Sequence, residues 1–314
     1  MAQGQPHAKV FANFNYDLSA EEMEDGYKEF ELKRAYLGYG YNINEDFSAK
    51  VTFDVGSNDA GSSYTAFLKI AALTWKASEN LTINFGQVGT KNFKFMEKAW
   101  GKRYIYKSLQ DQNKWASSAD LGATMDYKIG SGLSIDAQIL NGEGYKNTQS
   151  ENGLFRGSFG LTYKMGDMGI RIVRDMNPRS VYYPENTYDV QYITTIAMSY
   201  DMGSINVGGE YNMQENAGNI IDNTKTGISL YGNMRLMDDI SLFGRYDDLS
   251  SEDADGSQWN LDKDGSLIIF GIERKMAKGV TASINVQSWT DATLEGSEEA
   301  EAQNTLYLNL EYKF

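Results

Sequence analysis

This chain alternates apolar and polar residues with a period of two, and it does so up to its last residue. In the closing stretch NTLYLNLEYKF, Leu306, Leu308, Leu310, Tyr312 and Phe314 fall on one side of an extended backbone. Tyr307, Asn309, Glu311 and Lys313 fall on the other. A two-residue period marks a β-strand with one apolar face. Chain ends normally fray, so a strand carried to the final residue must be hydrogen-bonded along both edges.

Sixteen segments read as strands, at about 7–18, 28–44, 47–57, 65–78, 81–90, 118–129, 133–145, 155–165, 168–177, 187–201, 204–215, 224–237, 240–249, 265–276, 280–292 and 304–314. In ADLGATMDYK, Ala119, Leu121, Ala123, Met125 and Tyr127 oppose Asp120, Gly122, Thr124, Asp126 and Lys128. The period blurs around LKIAALTW and LIIFGIERK, and near FELKRAYLGY it slips by one residue, as a β-bulge would make it. Fourteen strands is the alternative if two blurred segments are loops.

The connections sort by parity. Tight turns such as NINED, KASEN, KIGSG and KMGDM follow even-numbered segments. Long polar stretches such as SAEEMEDGYKEF, YKNTQSENG, LSSEDADGSQWNLDKDG and TLEGSEEAEAQ follow odd-numbered ones. A soluble sandwich has no reason to sort its loops this way, whereas short turns at one end and long loops at the other mark an outer-membrane barrel. The fold class expected is all-β: one domain over 1–314, a sixteen-stranded antiparallel transmembrane barrel. With an even strand count both termini lie at the short-turn end, where the last strand pairs with HAKVFANFNY and removes the open edge that lipid does not tolerate.

Composition agrees. With 21 Tyr and 31 Gly against 3 Pro, the chain suits many ladders, and Pro6, Pro178 and Pro184 all lie outside the periodic segments. No apolar run is long enough for a transmembrane helix. A net charge of −14 excludes generic nucleic-acid binding. No signal peptide is visible, and Met1-Ala2-Gln3 reads as a start placed before a mature N-terminus.

The terminal strand resembles the assembly signature of outer-membrane proteins, which gives Tyr312 and Phe314 the role of assembly signal and implies the barrel-assembly machinery as a partner. FELKRAYLGYGYNINEDFSAKVTFDV, FLKIAALTWKASENLTINFGQVGTKNF, WGKRYIYKSL and SSADLGATMDYKIGSGLSIDAQILNGEGYKN resemble the opening of the phosphate-selective porin O/P family over residues 28–147. That family implies sixteen-stranded, typically trimeric diffusion porins in a Gram-negative outer membrane. The arginine content of strand two is thinner here than the family's anion ladder.

The longest connection, KNFKFMEKAWGKRYIYKSLQDQNKWAS, carries Lys91, Lys94, Lys98, Lys102, Arg103, Lys107 and Lys114 against Glu97 and Asp111, a local excess of positive charge in an acidic chain. Phe93, Phe95, Met96, Trp100, Tyr104, Ile105 and Tyr106 are too many apolar groups for a loop in water. This third external loop is expected to fold into the lumen and narrow it. Its aromatics would pack on the wall, and its cations would favour anions together with Lys33 and Arg34, extended by Arg156, Arg171 and Arg245. The other reading is a solvated basic loop facing lipopolysaccharide phosphates or a neighbouring subunit.

Other constellations carry less. Asp253, Asp255, Asp262 and Asp264, with Glu252 and Asn260, offer oxygen donors for calcium but lack EF-hand spacing. They read as a solvated loop, as does EGSEEAEA. His7 is the only histidine, Cys is absent and no G-x-S-x-G elbow exists, so no enzyme and no cofactor is expected. Asp247-Asp248 beside Arg245 reads as a lumen salt bridge. Tyr39, Tyr41, Tyr127, Tyr163, Tyr200 and Tyr312 are expected in girdles at the two rims. A plugged barrel acting as an adhesin or anchor through its acidic external loops is the alternative function.

Overall fold

The computed structural model describes residues 4–19, 27–58, 61, 63–150, 153–178, 189–293 and 300–314. The strands are Gly4–Asp17 (β1), Lys28–Asn42 (β2), Phe47–Ser57 (β3), Tyr64–Lys76 (β4), Leu81–Gly89 (β5), Ala119–Gly130 (β6), Leu133–Leu140 (β7) and Arg156–Met165 (β8). They continue with Met168–Asn177 (β9), Gln191–Asp201 (β10), Ile205–Glu215 (β11), Thr224–Arg235 (β12), Ile240–Glu252 (β13), Gly265–Ala277 (β14), Val280–Asp291 (β15) and Gln303–Lys313 (β16). Each pairs antiparallel with its sequence neighbours, and β16 pairs back onto β1. The barrel is closed, with sixteen strands and not fourteen.

Turn chemistry sets the short-turn end. Between β6 and β7 only Ser131 and Gly132 intervene, with φ of 50° and 83°, the doubly left-handed backbone whose twist matches a hairpin. Most boundaries move by one to a few residues, and two of the differences have a visible cause. β7 stops at Leu140 instead of 145, because Gly142 and Gly144 take φ of 108° and 81° and turn the chain inward. β1 begins before Pro6, which therefore lies inside a strand. Pro6 is tolerated because β16 pairs only from Lys9 onward, so no neighbour on that side needs its missing N–H. Pro184 and most of EGSEEAEA lie outside the described residues.

The slipped and blurred stretches have physical causes. Phe11 pairs with Arg34 but Ala12 with Leu32, leaving Lys33 as an extra residue on β2. Thr52 pairs with Ile70 but Phe53 with Leu68, leaving Lys69 as an extra residue on β4. Each bulge adds a lysine that reaches inward: Lys33 Nζ donates to the Ile105 carbonyl, and Lys69 Nζ to Asp54. β14 is regular. It reads as blurred because both faces are apolar, with Ile268, Phe270 and Ile272 exposed outside and Leu267 and Ile269 buried inside.

Among the described residues no helix is long and apolar enough to cross a membrane, which says nothing of the strands. Their outward residues form an apolar exterior that includes Phe85, Ile196, Leu230, Leu308 and Leu310, while Asn309, Asn285, Asn212 and Thr195 are buried on the lumen side. The six tyrosines named above are all exposed on the outer face. Their register places them at the short-turn end, so they make one girdle and not two. Phe30, Tyr64 and Phe155 supply aromatic surface near the long-loop end. Phe314 is 83% exposed. Its N–H donates to Ala8 and its carbonyl accepts from Ala8 at 3.2 and 3.0 Å, while Lys313 N–H donates to Gly279 at 2.8 Å. The terminus is thus pinned on both edges.

A lipid-facing arginine at mid-strand should cost about 2–4 kcal/mol. Leu308→Arg is therefore expected to lower the unfolding free energy in lipid by about that amount; no measurable change would mean Leu308 does not face acyl chains.

Candidate functional site

Between β5 and β6 the chain enters the barrel. It forms a short helix, Lys94–Trp100 (α1), and a single helical turn, Leu109–Gln112 (α2). On α1, Met96 and Trp100 lie four residues apart on a buried face, and Lys94 and Lys98 lie four apart on an exposed face. Gly101 at φ 70° closes the helix. Trp100, Tyr104 and Ile105 pack with Phe11, Tyr231, Phe243, Leu267 and Ile269 of the wall. Phe93 and Met96 pack against Ala197, and Leu109 and Trp115 against Ile193 and Leu249. Each such buried side chain contributes about 1.5–3 kcal/mol relative to exposure. Gly208 makes room for this layer, since a Cβ there would lie 2.4 Å from the Tyr231 ring.

Polar clamps fix the loop backbone. Arg171 donates to the Lys91 carbonyl at 2.9 Å, Arg245 to Lys107 at 2.7 Å, Arg156 to Trp115 at 3.3 Å and Lys33 to Ile105 at 3.3 Å. The three arginines are themselves held by carboxylates: Asp136 for Arg171, Asp175 for Arg156 and Asp247 for Arg245. Gly160 leaves space for one of these pairs, its missing Cβ lying 2.6 Å from Arg171 Nη2. Arg156, Arg171 and Arg245, expected as an open positive lining, are buried and paired instead, so their work is to hold the loop. Asp247 faces the lumen as expected; Asp248 is on the other face, in reach of the Tyr246 hydroxyl at 3.4 Å.

The loop cations divide into spent and available charges. Lys91 pairs with Asp126, and Lys102 turns to the wall to meet Glu273 at 3.0 Å, where the Tyr104 hydroxyl also donates. Arg103 is shared by Glu97 and by Asp111 at 2.6 Å. Lys94, Lys98, Lys107 and Lys114 make no ion pair among the described residues. Lys94 does donate to the Gly89 carbonyl at 3.3 Å. On the opposite wall Arg34, Lys69 and the Tyr145 hydroxyl all converge on Asp54 Oδ2, at 3.1, 3.3 and 2.6 Å. The buried Asp54 thus gathers two cations and one hydroxyl about a single oxygen. The turn NGEGY delivers Tyr145 to this point.

Two cavities meet at this cluster. An outer one of about 800 Å³ is lined by Asp111, Lys114, Tyr145, Gln191 and Lys225, among others. An inner one of about 340 Å³ is lined by Lys33, Arg103, Tyr106 and Tyr307, among others. Arg34 and Lys107 line both, so they stand between the two. Burial within the barrel, opposed by Asp111 and aided by Arg34 and Arg103, brings the Lys107 ammonium down to about 8. Lys94 has access to lumen water yet is hemmed in by the wall, and this restricted hydration, with Lys91 beside it, also lowers it to about 8. For Asp111, burial is outweighed by Arg103 and then Lys107, which hold its carboxyl below the usual range.

No protein-family model matches the chain, and no curated protein matches it. Solved structures do. An anion-selective porin from Comamonas acidovorans superposes with a TM-score of 0.73 at 12% identity over 100% of both chains. OmpF of Salmonella typhi, in complex with daunomycin, gives 0.70 at 13% identity over 99% of this chain and 97% of that one. The trimer form of OmpT, an outer membrane protein of Vibrio cholerae, gives 0.64 at 16% over 100% and 99%. The fold is that of the sixteen-stranded bacterial outer-membrane porins. Within this porin fold the narrower likeness to the phosphate-selective O/P family has no family match behind it.

The calcium candidates are not brought together. Asp253 accepts the N–H groups of Asp255 and Ser257 at 3.0 and 2.9 Å, closing a turn, and the buried Asp264 accepts from the Ser251 hydroxyl. Asp262 is exposed. Among the described residues no three His, Cys, Asp or Glu side chains form a cation site. Absent from the sequence reading were Lys69, Asp54, Tyr145 and the wall carboxylates other than Asp247. For Asp175 the signal was present: the tight turn after β8 places Ser158 opposite Asp175, two residues from Arg156 on the same face.

Removing one member of a buried pair costs about 3–5 kcal/mol. Arg245→Ala should destabilise the barrel on that scale and raise open-channel current noise, and Arg245→Ala with Asp247→Ala should recover part of the stability. A double variant no better than the single would show that Asp247 is not what holds Arg245.

Proposed function

We propose that the chain is a passive diffusion channel for small hydrophilic solutes in the outer membrane of a Gram-negative bacterium, preferring anions. The observation that carries the reading is that Arg34 on the wall and Lys107 on the loop both line the two cavities. A solute moving inward passes between a guanidinium on the wall and an ammonium on the loop. In a narrow passage with low-dielectric walls, such charges act over the whole cross-section. After the pairs on Lys91, Lys102 and Arg103 are set aside, Lys94, Lys98, Lys107 and Lys114 leave the loop with available positive charge. Solute size is filtered by the clamped loop and solute sign by these cations.

The likeness of residues 28–147 to phosphate-selective sequences supports counting phosphate among the admitted anions. The trimeric Vibrio cholerae neighbour supports a homotrimer. The exposed Tyr312 and Phe314 support recognition by the barrel-assembly machinery, and the outer rim would meet lipopolysaccharide.

In a potassium chloride gradient across a planar bilayer, the zero-current potential should show chloride passing more readily than potassium. Lys107→Glu should cut that preference by about fivefold per unit of charge, the factor that about 1 kcal/mol of Coulomb energy corresponds to. A cation-preferring wild type ends the reading. Because Lys94 and Lys107 lose their protons near pH 8, raising the pH removes positive charge. The chloride preference should therefore be full at pH 6–7 and decline between pH 7 and 9. A preference that grew with pH would show that other groups set it.

A further inference from the structure

We infer that the inner cavity is a binding site for aromatic monocarboxylates, which rest there on their way through. The inference rests on the anion-channel reading and names a solute class for the same passage. Phe11, Tyr36, Tyr106 and Tyr307 give the cavity four aromatic rings, and Lys33 and Lys107 give it two ammonium groups with no ion pair among the described residues. Arg34 and Arg103 also border it, but each already holds carboxylates, at 3.1 Å for Asp54 and 2.6 Å for Asp111.

The parts are pre-positioned. Lys33 is the extra residue of the β2 bulge, tethered to the Ile105 carbonyl and lying 5.4 Å from the centre of the Tyr307 ring. Lys107 is anchored through its own carbonyl by Arg245, leaving the ammonium to the cavity. Phe11 is buried and meets Tyr36 edge to face at 5.8 Å and 81°, backing the wall, while the half-buried Tyr36, Tyr106 and Tyr307 leave ring surface for the edge and face contacts a further ring prefers. A hydrated inorganic anion gains nothing from such a wall. An aliphatic carboxylate gains contact area but no quadrupolar term.

Size and charge narrow the class. About 340 Å³ is at the low end for small-molecule sites, which suits one ring. Glu31 borders the same cavity, its carboxylate held by Asn13 at 2.8 Å. A second carboxylate on the solute would meet that charge, so one carboxylate is favoured over two.

The test is single-channel recording of the full-length protein in chloride, with benzoate, hexanoate or phthalate added. Benzoate should interrupt the current with dwell times about tenfold longer than hexanoate or phthalate, a difference of about 1.4 kcal/mol. Lys33→Gln with Lys107→Gln should bring benzoate down to the hexanoate value. Chloride preference with indistinguishable benzoate and hexanoate events would overturn this inference alone. Phthalate dwelling longest would overturn the single-carboxylate assignment. Cation preference in plain salt would overturn the reading beneath it.

Discussion

A sheet in hydrocarbon cannot leave a backbone amide unpaired, and that requirement organises the whole molecule. It is met at the seam, where β1 and β16 pair from Lys9–Lys313 to Asp17–Thr305. It also explains why the last residue is ordered. Phe314 exchanges two hydrogen bonds with Ala8, so the chain ends on the strand that closes the circle. Once the sheet is closed, its pleat sends alternate side chains to lipid and to water. The low mean hydropathy of the sequence is a consequence of that division.

Closure creates an interior, and the third loop occupies part of it. A loop backbone inside a barrel has carbonyls that need donors, and the wall supplies them from cationic side chains on β2, β8, β9 and β13. Three of the donors are guanidinium groups already neutralised by aspartates, on the same strand for Arg245, the next strand for Arg156 and two strands away for Arg171. The wall can therefore grip the loop without adding much net charge behind it. Lys94, Lys98, Lys107 and Lys114 on the loop keep no ion pair among the described residues. Apolar packing of Met96, Trp100, Ile105 and Leu109 supplies the bulk of the contact, and the clamps fix its position.

The strand pattern, closure, turn parity and the entry of the third loop were all legible in the alternation and in the aromatic content of 91–117. Local periodicity reports which face a residue occupies, and this is enough for a barrel. It does not report which of two like-charged residues finds a partner. Lys102 and Lys107 look alike in sequence, yet one turns to Glu273 and the other to the cavity. That depends on where Gly101 redirects the chain after α1. Lys69 was disguised because a bulge breaks the very period used to assign faces, whereas the slip at Lys33 was visible. Tyr145 was read as strand, since two glycines can sit in a strand as easily as in the turn that brings its hydroxyl to Asp54.

The central claim is that the loop between Lys91 and Ser117 is lodged inside the barrel. Limited trypsin digestion of the folded protein in lipid, read by mass spectrometry, addresses it directly. The loop carries seven potential cleavage sites from Lys91 to Lys114, while Lys263 is exposed on an external loop. The account predicts cutting at Lys263 with Lys91–Lys114 intact until the barrel melts. Prompt cleavage at Lys98 or Lys107 in the folded protein would contradict it.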